Sequence, residues 1–186
     1  MTASGRVYLV RHGRPLVDPA VLPHLWQLDP EHVADVVALR SELPGSARWY
    51  SSPEPKARPT ARLLTDDPVR IVPGLREHER RGEWEMDFQE TVRRAFEHPE
   101  APAHPGWEPL AETRERVVSA VRGILRRESG RDVVLVGHGT AWTLAYAALR
   151  DEQPDLSWWS GLAMPDARAV DVQSRGPGLP SDMLGA

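Results

Sequence analysis

Two apolar runs in this chain end in the same way, and that repetition limits the folds open to it. Val7-Tyr8-Leu9-Val10 leads straight into Arg11-His12-Gly13-Arg14, and Val133-Val134-Leu135-Val136 leads into Gly137-His138-Gly139-Thr140. Short β-branched runs without polar alternation read as strands buried on both faces, the signature of a mostly parallel sheet covered by helices. In such α/β sheets ligands collect beyond the carboxyl ends of the strands, so both histidines are delivered to the rim where chemistry is expected. Neighbouring parallel strands lie about 4.8 Å apart, so the two rings face one small ligand if the runs pair side by side. Arg11 adds a fork of donors suited to phosphate or carboxylate, and His12 has a nitrogen suited to act as base, nucleophile or metal ligand. A fixed cation beside two imidazoles opposes a divalent ion and favours a phosphoryl group. No histidine pair has the HExxH spacing of a zinc helix, so no metal is expected.

The remaining bounds are permissive. A chain of 186 residues, 40% hydrophobic, is sized for one domain, expected over residues 1–172, with a Gly- and Pro-rich tail over 173–186. A net charge of -4 gives no overall attraction to nucleic acid or to anionic membrane. The absence of cysteine removes disulfides and thiolate metal sites. Residues 1–6 are too short and polar for a signal peptide, and no apolar run approaches the roughly 20 residues of a membrane span, so a cytoplasmic location is expected.

Between the two histidine strands, residues 15–30 carry four prolines and read as a loop over the rim, tethered by Trp26 and Leu28. Asp29-Pro30-Glu31 is a helix start, and Pro44-Gly45 a stop. Arg48–Ser51 reads as a short strand leading into Ser52-Pro53-Glu54-Pro55-Lys56-Ala57-Arg58-Pro59-Thr60-Ala61. Pro59 fits only the first turn of a helix, which sets Lys56 and Arg58 near its amino terminus. Cations there oppose the macrodipole unless an anion stands between them and the helix end. Strands are further expected at 69–72 and 167–172, and helices at 87–97, 110–128, 141–149 and 155–163, where Trp158 and Trp159 pack or cover an edge. Residues 73–84 form a loop dense in acids and bases.

Taken in order, LVRHG, SSPEPKARPTA, LREHERRGEWE, GWEPLAETRERV and LVGHG resemble the histidine phosphatase superfamily, with its phosphoglycerate mutase-like fold. The resemblance implies a three-layer α/β/α architecture around a mostly parallel sheet. It implies that His12 is the nucleophile that becomes phosphohistidine, and that Arg11 and His138, with Gly139 beside it, hold the phosphoryl oxygens. Glu77 falls at the proton donor. Lys56 stands where the pattern SSP-x-x-R-A-x-x-T carries arginine; it keeps the charge but loses the bidentate fork, and Arg58 is the alternative donor. On this ground Lys56→Arg is expected to raise kcat/KM. An extra residue before Gly82 makes Glu79 a rival to Glu77. The expected activity is metal-independent, cofactor-free hydrolysis of a small phosphorylated metabolite. The alternatives are a mutase or other phosphotransferase, and a phosphate-binding protein with weak or lost turnover.

Overall fold

The computed structural model describes residues 5–171, so the expected tail at 173–186 lies outside the described residues. Five strands form one sheet in the order β3-β2-β4-β1-β5: β1 Arg6–Arg11, β2 Arg48–Ser51, β3 Val69–Ile71, β4 Val133–Gly137 and β5 Asp166–Asp171. All neighbours are parallel except β5, which runs antiparallel to β1. The mostly parallel sheet expected from the two histidine runs is therefore present, with one antiparallel edge.

Side-chain alternation along the central strands builds the layers. Val7 and Leu9 of β1 and Val133 and Leu135 of β4 point to one face, where they meet Val117, Val121 and Ile124 of α4 (Leu110–Arg127) and Ala141, Trp142 and Ala145 of α5 (Gly139–Arg150). Val10, Val134 and Val136 point to the other. They meet Val36 of α1 (Val33–Ala38) and Ala61 and Leu64 of α2 (Ala57–Leu64). A period of two within each strand thus feeds two helical layers, and β4 is buried along its whole length. The other α-helices among the described residues are α3 Phe88–Glu97 and α6 Leu156–Ser160.

Some local expectations are refined. The helix after Asp29 is broken into a 3₁₀ turn at Pro30–His32, α1, and a second 3₁₀ turn at Leu39–Glu42. Asp29 caps its start by accepting from the Glu31 N–H at 2.9 Å. Trp26 does not anchor its loop in the core: its indole N–H donates to the carbonyls of Asp18 and Val21 within the loop, while Leu28 packs against the Val10 and Val36 cluster.

The crossing between residues 80–82 and 105–107 depends on glycine. Gly106 has φ +84°, and a Cβ there would lie 2.1 Å from the Arg81 carbonyl oxygen. Gly106→Ala is therefore expected to cost about 2 kcal/mol or more and to lower Tm by roughly 5 °C or more. A thermal melt unchanged by the substitution would contradict the close approach.

Candidate active site

The register Arg11↔Gly137 sets the ends of β1 and β4 side by side, and His12 and His138 follow them directly. The His12 N–H donates to the Gly137 carbonyl at 2.9 Å, and the two rings meet edge to face with centroids 5.1 Å apart. His12 Nδ1 lies 2.7 Å from its neighbour's carbonyl, Gly13 O, an acceptor only. Nδ1 therefore carries the proton, and the lone pair is left on Nε2. His138 shares a 2.7 Å hydrogen bond between its Nε2 and Ser52 Oγ, at the end of β2. Its Nδ1 is buried with no hydrogen-bond partner among the described residues.

Cations surround this pair. Arg11 donates from Nη1 to the Leu162 carbonyl at 2.8 Å, and its Nε is also buried without a partner among the described residues. Its guanidinium lies against Gly139, where a Cβ would come within 3.2 Å of Nε. A methyl group there would press on the arginine, so glycine eases its close approach to the first turn of α5. Arg80 comes from the acid- and base-rich loop and stands over the rings of Phe88 and Trp107, at 4.9 and 5.0 Å. It donates to Thr140 Oγ1 at 2.8 Å, an oxygen that also accepts from the Trp159 indole at 3.2 Å.

Glu77 is fixed at the amino terminus of α5, accepting from the N–H groups of Thr140 at 3.2 Å and Ala141 at 3.0 Å. A carboxylate at that position satisfies helix donors that have no intrahelical partner and meets the positive end of the dipole. Burial pushes its pKa up. The Arg80 charge, His138 and the N–H groups of His78 and Thr140 outweigh that and lower it to about 2. Burial, with Lys56, Arg80 and Arg11 adding to it against Glu77, lowers His138 to about 3. Burial, together with His138 and Lys56, also holds His12 well below the ordinary histidine value. At neutral pH both imidazoles are neutral and Glu77 is ionised.

Lys56 and Arg58 part company. Lys56 is buried at the start of α2, whereas Arg58 is exposed two residues later and is not brought to the histidines. The ammonium of Lys56 is already engaged, 2.5 Å from Glu54 Oε2 and 2.7 Å from the Pro23 carbonyl of the proline-rich loop. Glu54 is itself buried; its other oxygen accepts from the Glu77 N–H at 2.7 Å and lies 3.4 Å from His138 Nε2. Glu79 pairs with exposed Arg81, so Glu77 and not its rival is the acid beside the imidazoles. Arg80, Glu54, Ser52, Thr140 and Trp159 belong to this cluster although their sequence context singles none of them out. Trp159, expected to pack or cover an edge, ties α6 to the start of α5. Among the described residues no group of three or more His, Asp and Glu side chains is placed to hold a metal ion. No helix there is long and apolar enough to cross a membrane.

The description of the histidine phosphatase superfamily, branch 1, matches residues 7–179. The chain belongs to that superfamily. Solved structures of the same fold include Bacillus stearothermophilus YhfR, 24% identical, with a TM-score of 0.71, covering 92% of this chain and 93% of that one. A mycobacterial glucosyl-3-phosphoglycerate phosphatase is 22% identical with a TM-score of 0.69, over 89% and 88% of the two chains. A phosphoserine phosphatase mutant from Entamoeba histolytica, in complex with phosphoserine, is 17% identical with a TM-score of 0.70, over 89% of each. A search of curated proteins found no match. In this histidine phosphatase family member, His12 and His138 are the two histidines that the resemblance assigns to phosphoryl chemistry, and they stand in ring contact.

Proposed function

We propose that this chain is a phosphatase that hydrolyses a small phosphomonoester through a phosphohistidine on His12. The observation that carries the reading is the tautomer-fixed His12, with Nε2 free, in ring contact with His138 and flanked by the Arg11 guanidinium. Phosphoryl transfer depends mainly on positioning and on stabilising spread negative charge, and a covalent intermediate divides one slow step into two. His12 Nε2 attacks phosphorus as the bond to the leaving oxygen breaks. Arg11, with its unpartnered Nε, and His138 take the equatorial oxygens. Glu77 serves the leaving oxygen and afterwards the attacking water. The neighbours named above include phosphatases named for different phosphomonoesters, which supports the reaction class and leaves the alcohol open.

The test is hydrolysis of p-nitrophenyl phosphate combined with acid-free quenching and mass spectrometry of the His12 peptide. A phosphorylated peptide under turnover supports the reading, and turnover without it refutes the covalent route. A second reading, a phosphate-binding protein with weak turnover, is favoured by one observation, the engagement of Lys56 by Glu54. Thermal stabilisation by inorganic phosphate without nitrophenol release would establish it. Glu77→Gln is expected to slow alkyl phosphates at least about 100-fold and nitrophenyl phosphate far less, because only the poorer leaving group needs a proton. Equal losses on both esters would remove Glu77 from proton transfer.

A further inference from the structure

We propose that Glu54 makes this pocket selective for the singly charged, protonated phosphoryl group, so that the substrate carries its own leaving-group proton into the site. The inference rests on the phosphatase reading and adds what sets the charge of the substrate.

The argument starts from the groups that face the Glu54 carboxylate. From the β2–α2 junction comes Lys56, which it pairs at 2.5 Å; both side chains are at most 7% exposed, so neither charge is screened by water. From β4 comes His138, 3.4 Å away, and from the loop after β3 come Glu77, whose N–H it accepts, and the Arg80 charge. Around this group, from the end of β1, stand Arg11, which faces Glu77 and Arg80, and the neutral His12, which faces Lys56 and His138. Further out, Glu108 is paired with Arg116 at 2.6 Å and Asp166 with Arg168 at 2.9 Å, while His78 is held neutral by burial, with the Arg80 charge adding to it. Within the site, Arg11, Lys56 and Arg80 face Glu54 and Glu77, which leaves one positive charge. A phosphoryl dianion would carry one negative charge more than the site offers, and in a dry pocket an unpaired charge is strongly disfavoured. The monoanion balances it.

The monoanion also resolves the proton supply. Glu77 is ionised at neutral pH and has no proton to give. With a monoanionic ester, the N–P bond forms at His12 Nε2, the P–O ester bond breaks, and the phosphoryl O–H proton passes through Glu77 to the leaving oxygen. The products are a neutral alcohol and a phosphohistidine of net charge minus one. Water then attacks phosphorus and cleaves the N–P bond, giving dihydrogen phosphate and neutral His12. The ligand keeps one negative charge throughout, matching the pocket at every stage. On the same grounds arginine at position 56 retains both the pair with Glu54 and the net charge, so Lys56→Arg alone does not raise kcat/KM, contrary to the expectation from sequence.

The experiment compares kcat/KM for p-nitrophenyl phosphate between pH 5.5 and 8.5 in the wild type, in Glu54→Gln and in the double variant Glu54→Gln/Lys56→Met. Phosphate monoesters lose their second proton near pH 6, so the wild-type value is expected to fall about tenfold per pH unit above about pH 7. Glu54→Gln leaves the pocket one charge more positive, and its ratio of activity at pH 8 to that at pH 5.5 is expected to rise at least about tenfold. The double variant removes one charge of each sign and is expected to regain the wild-type profile. Superimposable profiles for wild type and Glu54→Gln, or a wild type flat above pH 6, overturn the inference. Calorimetry of inorganic phosphate binding at pH 8 in two buffers of different ionisation enthalpy supplies a readout without turnover. Proton uptake near one per phosphate, lost in Glu54→Gln, is expected. Phosphate that binds without uptake sinks the charge selectivity alone. Absence of ester hydrolysis sinks the phosphatase reading alone, and absence of phosphate binding sinks both.

Discussion

His12→Ala is expected to lower kcat for p-nitrophenyl phosphate by at least about 10⁴-fold, the scale seen when a nucleophile acting with its partners is deleted. The same variant should keep inorganic phosphate affinity within about tenfold. The split follows from the division of labour in the site. His12 contributes a neutral Nε2 whose orientation is fixed by the Nδ1 contact to Gly13 O and by the backbone bond to Gly137 O. Anion binding draws instead on Arg11, Arg80 and His138, none of which depends on the His12 ring for its own anchor: Arg11 is held by Leu162, Arg80 by Thr140 and His138 by Ser52. Removing the imidazole leaves those anchors standing. Turnover above about 1% of wild type, or a phosphoenzyme that still forms, would move the nucleophile elsewhere, and His138 would be the first candidate. A loss of phosphate affinity as large as the loss of kcat would show that the ring is needed to assemble the site.

What could be read before the structure follows from how far each residue's role depends on its neighbours in sequence. The two central strands were legible because Val7 to Val10 and Val133 to Val136 are buried on both faces and show it as unbroken apolar runs. Arg11, His12 and His138 were legible because strand ends position them directly. Lys56 was legible as a departure from a pattern. Its fate was not, because the carboxylate that occupies it comes from Glu54, two residues away with a proline between them, and only the turn into α2 brings the two together. Arg80 was hidden for a different reason. In sequence it is one of several charges in a loop of the kind normally solvated, and its burial depends on Phe88 and Trp107, which approach it from α3 and from the chain before α4. The placement of Glu77 likewise depends on a tertiary fact, the N–H groups of Thr140 and Ala141 at the start of α5 that its carboxylate accepts. The helix expected after Asp29 was interrupted because only a narrow apolar side, Val36 with Leu39 and Leu43, rests on the core.

Acidification from pH 7 to pH 5 is expected to remove a large part of this protein's stability. Three histidines are buried and held neutral. Burial together with the Arg80 charge lowers His78 to about 4, burial with the surrounding cations lowers His138 to about 3, and His12 also lies well below the ordinary value. All three are at most 5% exposed, so solvent screening does little to blunt the effect. In the unfolded chain these rings titrate near pH 6.5. Because the folded-state values are depressed, the unfolded state binds more protons between 6.5 and the folded values, and stability present above pH 6.5 is lost as pH falls. At about 1.36 kcal/mol per pH unit, His78 and His138 each cost about 2 kcal/mol by pH 5, together about 4 kcal/mol, against a typical total of about 5–15 kcal/mol, and His12 acts in the same direction. Glu77, lowered to about 2, acts with the same sign only below its unfolded value of 4.5, so the window between 6.5 and 4.5 belongs to the imidazoles. Urea unfolding at pH 7, 6 and 5 should show the stability falling with a slope that reaches about two protons or more, and His78→Gln should reduce that slope by about one. A stability that does not change between pH 7 and pH 5 would mean that these rings are open to water.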